Sequence, residues 1–124
     1  MTKVCHYEDV PAETFGAEAP GVTIRWLIDD KHDRAPNYAL RLIEVARGGH
    51  TPDHTHWFEH ENFVIEGRGT VTINGQMHEV GPGDVIYVPP DAQHQYVNTG
   101  DTPFKFLCGI PLPWIKAARE AQAD

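Results

Sequence analysis

Four of the eight histidines in this 124-residue chain have types and spacing that could do chemistry: His54, His56, His60 and His94. Three lie within His54-Thr-His56-Trp-Phe-Glu-His60, and the fourth ends Pro89-Pro-Asp-Ala-Gln-His94. Neutral imidazole is the commonest side-chain metal ligand. Alternate residues of an extended chain point to one side, so His54 and His56 project together, a spacing that suits two ligands on one ion. A site whose protein ligands do not fill a metal's coordination shell keeps positions for water, dioxygen or substrate.

The elements that must position these rings read as strands. Val22-Thr-Ile-Arg-Trp-Leu-Ile28 is rich in β-branched and aromatic residues. Asp29 to Asp33 reads as a polar turn, and Tyr38 to Ala46 as a strand covered on both faces. Asn62 to Glu66 and Thr70 to Ile73 follow, then Asn74-Gly75, the strongest short hairpin signal, with Gln76 to Val80 as its return strand. Asp84 to Val88, His94 to Asn98 and Phe104 to Ile110 complete the set. Many short strands with regular turns imply an all-β sandwich or barrel. Residues 1–21, punctuated by Pro11, Pro20 and Gly21, read as an N-terminal arm, and residues 22–124 as a single domain. Pro113 starts a stretch of good helix formers, so a short C-terminal helix is expected there.

Composition excludes several function classes. The net charge of −8 with no Lys/Arg cluster argues against nucleic acid and anionic membrane surfaces as partners. No apolar run reaches membrane-spanning length and the N-terminus has no signal-peptide core, so a cytoplasmic location is expected. Cys5 and Cys108 fit no zinc-ribbon or redox spacing and are expected to be separate thiols.

The surroundings of the histidines resemble the two motifs of the cupin superfamily. Gly48, His54, His56, His60 and Gly67 match G-x5-H-x-H-x3/4-E-x6-G, with His60 in the slot where most cupins carry glutamate. Gly83, Pro89, His94 and Asn98 match G-x5-P-x-G-x2-H-x3-N, with Asp91 in place of the internal glycine. The motifs span residues 48–67 and 83–98. The runs Ala35-Pro-Asn-Tyr38, Trp57-Phe-Glu-His-Glu61 and Phe106-Leu-Cys-Gly-Ile-Pro111 are further similar to a group of small single-domain cupins that bind manganese through four histidines. The resemblance implies a jelly-roll β-barrel, a homodimer, and one divalent ion, Mn favoured, inside the barrel. The four-residue option in the first motif would select Glu61 instead of His60. Counting back from Gly67 favours His60, and neighbouring strand residues face opposite ways, so only one of the two can bind.

Replacing glutamate by histidine leaves the full 2+ charge of the ion uncompensated, which favours an anionic or enolate-like ligand at its open positions. The ion would act as a Lewis acid and lower the pKa of bound water. Softness suits Fe, Zn, Ni or Cu as well, and affinity order disfavours Mn. Metal binding is expected to weaken below about pH 6 as imidazole protonates. Alternation puts Phe104, Phe106, Cys108 and Ile110 on one face, where Phe106 and Cys108 either belong to the core or wall the metal pocket. Tyr96 shares a face with His94, and Arg41 either reaches the pocket or pairs with a carboxylate. His6, His32, His50 and His78 fit no ligand slot and are expected at the surface.

The expected function is dioxygenase-type oxidation of a small molecule, with dioxygen as a second partner. Isomerisation or decarboxylation through a metal enolate, and binding of a metal or small molecule without turnover, are the alternatives. A purely structural metal would require that chelation unfold the protein.

Overall fold

Asn74 and Gly75 take the left-handed backbone angles, φ 49° and 83°, that a two-residue hairpin turn requires. In the computed structural model, which describes residues 2–115 and 117, this hairpin belongs to one of two antiparallel sheets. The strands are β1 (Ala12–Thr14), β2 (Val22–Ile28), β3 (Tyr38–Val45), β4 (His60–Glu66), β5 (Gly69–Ile73), β6 (Gln76–Val80), β7 (Val85–Val88), β8 (His94–Asn98) and β9 (Phe104–Pro111). The larger sheet has the order β1-β2-β3-β9-β4-β7, the smaller β6-β5-β8.

Alternation decides which residues face inward. Phe104, Phe106 and Cys108 of β9 are buried at successive odd-step positions, as are His60, Asn62 and Val64 of β4, while Glu61 and Phe63 face out. Valines and phenylalanines from both sheets, among them Val45, Val64, Val71, Val88, Phe104 and Phe106, form one apolar core between them. Removing this surface from water is the main stabilising term.

Three sequence expectations are modified. The β-barrel is not closed: among the described residues no continuous ladder joins the two sheets. Residues 46–59 form no strand ladder with β8; they meet it at the isolated bridges His50↔Val97 and His54↔His94 and through separate hydrogen bonds such as Thr51 N–H to the Tyr96 carbonyl at 2.9 Å. Pro52 has no N–H to donate, and the chain bends at Trp57 and Phe58, so longer pairing cannot develop there. The polar stretch after β2 is one helical turn, α1 (Asp30–Asp33), because the Asp29 carboxylate accepts from His32 N–H at 2.8 Å and caps it. Residues 12–14, within the arm, pair with β2 as an edge strand, and Arg25 donates to the carbonyls of Tyr7 (3.4 Å) and Glu8 (3.3 Å). The helix expected after Pro113 falls mostly outside the described residues. No helix among the described residues is long and apolar enough to cross a membrane.

Candidate metal centre

β4 and β8 each present a histidine as their first residue, and the loop before β4 presents the other two. His54 and His94 are paired through their backbones, which puts both rings on one side. His56 is held by Asp91, whose N–H donates to the His56 carbonyl at 2.8 Å. Asp91 has φ 66°, a conformation that aspartate tolerates better than most residues, which is why it can stand where the motif usually has glycine. His60 enters from β4, opposite Val88 in β7. One ring nitrogen from each of the four lies within 4.8 Å of the others. The His56 and His60 Nε2 atoms are 3.0 Å apart, and the His94 ring sits 4.8 Å, centroid to centroid, from each of the other three. Glu61 is exposed and takes no part.

The hydrogen bonds behind the rings suit metal ligands. His56 Nδ1–H donates to the Phe58 carbonyl (2.7 Å), and His94 Nδ1–H to the Ala92 carbonyl (2.9 Å). Each leaves Nε2 as a lone pair. His94 Nε2 is buried with no hydrogen-bond partner. Such orphaned buried acceptors are costly, and a cation at the centre of the cluster would satisfy this one. The donor set therefore fits a divalent ion. Burial holds all four imidazoles below their ordinary pKa, His56 at about 4 and His60 at about 2, with the Arg41 charge and the neighbouring rings adding to the shift at His60. The rings are thus neutral, as ligands must be.

Of the other candidates, Arg41 and Cys108 reach the cluster. Arg41 is 7% exposed; its Nη2 donates to Cys108 Sγ (3.1 Å) and lies 3.5 Å from His60 Nδ1, while Cys108 Sγ is 3.0 Å from that same nitrogen. No carboxylate pairs with Arg41 among the described residues, contrary to the commoner fate of such an arginine; its guanidinium instead lies over the Trp26 ring at 5.4 Å. Tyr96 approaches His94 and His60, ring centroids 6.1 and 6.4 Å away. Its hydroxyl donates to Asn62 Oδ1, and burial raises its pKa well above the ordinary value. Phe106 stacks behind Tyr96 at 4.6 Å and is core. Of the four histidines outside the cluster, His6, His32 and His78 are exposed and His50 is half-buried, close to the Thr51 carbonyl.

Sequence reading missed three aromatic residues. Phe58 lies flat on His56, centroids 3.7 Å apart. With Trp26, Trp57, Ile110 and Leu112 it walls a cleft of roughly 430 Å³ that also carries Glu13, Asp29, Asp30, Lys31 and His32; the cluster histidines do not line it, and Phe58 is the wall residue that touches one of them. The only signal was the aromatic pair set between two histidines of the first motif.

Residues 41–110 match the Cupin_2 family model, described as a cupin domain. A solved structure of the polyketide cyclase RemF from Streptomyces resistomycificus is 37% identical, with a TM-score of 0.83 over 90% of this chain and 80% of that one. Uncharacterized protein MJ1618 of Methanocaldococcus jannaschii is 35% identical over 89 residues, 71% of each chain. Gentisate 1,2 dioxygenase 1 of Aquipseudomonas alcaligenes is 33% identical over 72 residues, 57% of this chain but 21% of that protein.

Proposed function

This chain belongs to the Cupin_2 family of cupin domains, and on that premise we propose that it is an enzyme that holds one divalent ion on His54, His56, His60 and His94 and acts on a small anionic or enolisable molecule. The observation that carries the reading is the charge of the site. Four neutral imidazoles and a buried guanidinium are gathered with no carboxylate among the ligand atoms, and the carboxylate whose charge reaches His54 and His94, that of Asp53, is exposed to solvent. A buried positive centre of this kind is costly without a negative partner, so its open positions draw an anion. A bound ion would supply Lewis acidity toward a substrate oxygen.

The chain's own residues define the rest. Arg41 Nε is buried with no hydrogen-bond partner and is a donor for a second substrate oxygen. Trp26, Trp57, Phe58 and Ile110 offer an apolar wall for the organic part. Tyr96 stays protonated and committed to Asn62, so it is not a base. With the imidazoles engaged as ligands, none of these groups is free to keep a proton. The reaction class that fits is therefore one in which a proton moves within the substrate or to solvent, as in enolisation, isomerisation or ring closure. Similarity to a polyketide cyclase over most of both chains supports this.

Dioxygenase-type oxidation is the second reading, favoured by the match to gentisate 1,2 dioxygenase 1. It stands second because the facial triad of Fe(II) oxygenases includes a carboxylate, which this cluster lacks. The resemblance favours Mn as the ion and a homodimer as the assembly. Exposed Phe63 and Val85, opposite each other on the outer face of the large sheet, support an apolar contact between subunits.

The test is metal-loaded protein in D2O with a panel of β-diketones and phenolic acids, followed by proton NMR beside an oxygen electrode. Deuterium entering next to a carbonyl without oxygen uptake, abolished by His56→Ala, is expected. Oxygen uptake matched to substrate loss would install the second reading. Binding with neither outcome would leave a non-catalytic binding protein.

A further inference from the structure

We propose that Cys108 is a positioning residue for His60. Its sulfur is the acceptor that keeps the imidazole hydrogen on Nδ1 and so leaves the Nε2 lone pair directed into the histidine cluster. The inference rests on the reading of that cluster as a metal site, but its central statement concerns a tautomer that exists with or without metal.

A metal-binding histidine needs an acceptor for its other ring nitrogen, and that acceptor is usually a carboxylate, a backbone carbonyl or water. His56 and His94 have carbonyls, from Phe58 and Ala92. A carbonyl can only accept, so the tautomer of each ring is fixed. His60 differs: the groups facing its Nδ1 are the Cys108 sulfur at 3.0 Å and Arg41 Nη2 at 3.5 Å. Arg41 can only donate. If it donated to Nδ1, the ring hydrogen would have to sit on Nε2, and His60 could not bind an ion through the atom that faces His56.

Cys108 resolves this conflict. Arg41 Nη2 lies closer to the sulfur (3.1 Å) than to the ring nitrogen (3.5 Å), so its hydrogen goes to Cys108. Trp26 fixes the guanidinium from the other side. We take the sulfur to accept from Arg41 and from His60 together; a thiol can also donate its own S–H, and donation to Nδ1 is the arrangement that hydrogen on Nε2 of His60 would reveal. Strand register delivers it there: Cys108 in β9 lies opposite Arg41 in β3 on one side and opposite Asn62, two residues after His60, in β4 on the other. Its burial at 1% exposure keeps bulk water away from the sulfur.

The test uses the full chain and two variants, Cys108→Val and Cys108→Ser. Nitrogen-15 NMR of the metal-free proteins reads the tautomer of each cluster histidine, and chelator competition with Zn2+ reads affinity. The wild type is expected to show His60 with hydrogen on Nδ1. Cys108→Val should move it toward Nε2 while His56 and His94 stay unchanged, and should weaken Zn2+ binding about 10–100-fold. Cys108→Ser, whose hydroxyl accepts, should restore the tautomer and most of the affinity. Hydrogen on Nε2 of His60 in the wild type would overturn the proposal even if the valine variant does not fold. So would a folded valine variant with unchanged tautomer and affinity. A wild type with the expected tautomer but no Zn2+ binding would instead remove the metal reading and leave the role of Cys108 standing.

Discussion

His54 and His94 exchange both of their backbone hydrogen bonds. His54 N–H donates to the His94 carbonyl at 3.2 Å, and His94 N–H to the His54 carbonyl at 2.9 Å. This bridge joins the loop before β4 to the start of β8 and sets the two rings side by side, 4.8 Å between centroids. The two motifs therefore meet through the backbone itself.

Removing a ligand should cost more than disturbing a ligand's partner. His54→Ala, His56→Ala and His94→Ala are each expected to weaken Zn2+ or Mn2+ binding by more than the roughly 100-fold upper range of such partner changes. Metal content by elemental analysis, with chelator competition, checks this. A variant that keeps full metal content would remove its histidine from the ligand set.

Metal-free protein should lose stability as pH falls below 6.5. His56 at about 4 and His60 at about 2 stay neutral when folded, because burial disfavours their charged forms. The unfolded chain takes up protons at these positions from about 6.5 downward, so it gains relative to the folded one across the window from 6.5 to about 4 for His56 and to about 2 for His60. For buried His60 this amounts to about 2 kcal/mol between pH 7 and pH 5. Urea unfolding of chelated protein at both values measures it, and equal stabilities would contradict the assignment. The same shifts carry proton competition for the ion to a lower pH than the value near 6 expected from isolated imidazoles.

Chelation should leave the fold standing. The core of Val45, Val64, Val88, Phe104 and Phe106 is fully buried without help from a metal. Far-UV and near-UV circular dichroism after EDTA treatment should therefore be retained. Collapse of both signals would make the ion structural.

Phe58→Ala should separate ligand binding from metal binding. The carbonyl that accepts from His56 is backbone and survives the change, so metal affinity should hold within about threefold, less than one hydrogen bond is worth. Loss of the ring from the cleft wall should weaken binding of an aromatic acid such as 2-naphthoate by about tenfold, near the upper range for one aromatic contact. Calorimetric titration of metal-loaded protein reads both quantities.

Two glycines should respond differently to alanine. At Gly67, φ is 77° and a Cβ would come 2.1 Å from the Pro103 carbonyl oxygen, with backbone all around it. Gly67→Ala should cost more than the roughly 1–2 kcal/mol of left-handed strain alone. At Gly75, φ is 83° but nothing lies within 4 Å, so Gly75→Ala should cost about that strain and no more. Denaturant unfolding of the pair makes the comparison.

The sequence by itself determined the strands and the histidines that could share an ion. Strand alternation and the Asn74-Gly75 turn are local properties, and the spacing from Gly48 to Gly67 and from Gly83 to Asn98 is written in the chain. It also preferred His60 to Glu61 through the six-residue interval back from Gly67, with strand parity adding that the two cannot both bind. Only the tertiary structure decided what stands behind each ring. That Cys108 rather than a carbonyl faces His60, that Arg41 lies on Trp26 with no carboxylate partner, and that Phe58 covers His56 all depend on the register between strands far apart in sequence. Side chains on β2, β3, β4 and β9 become neighbours only when the sheet forms. Nothing local encodes which atom will end 3 Å from which.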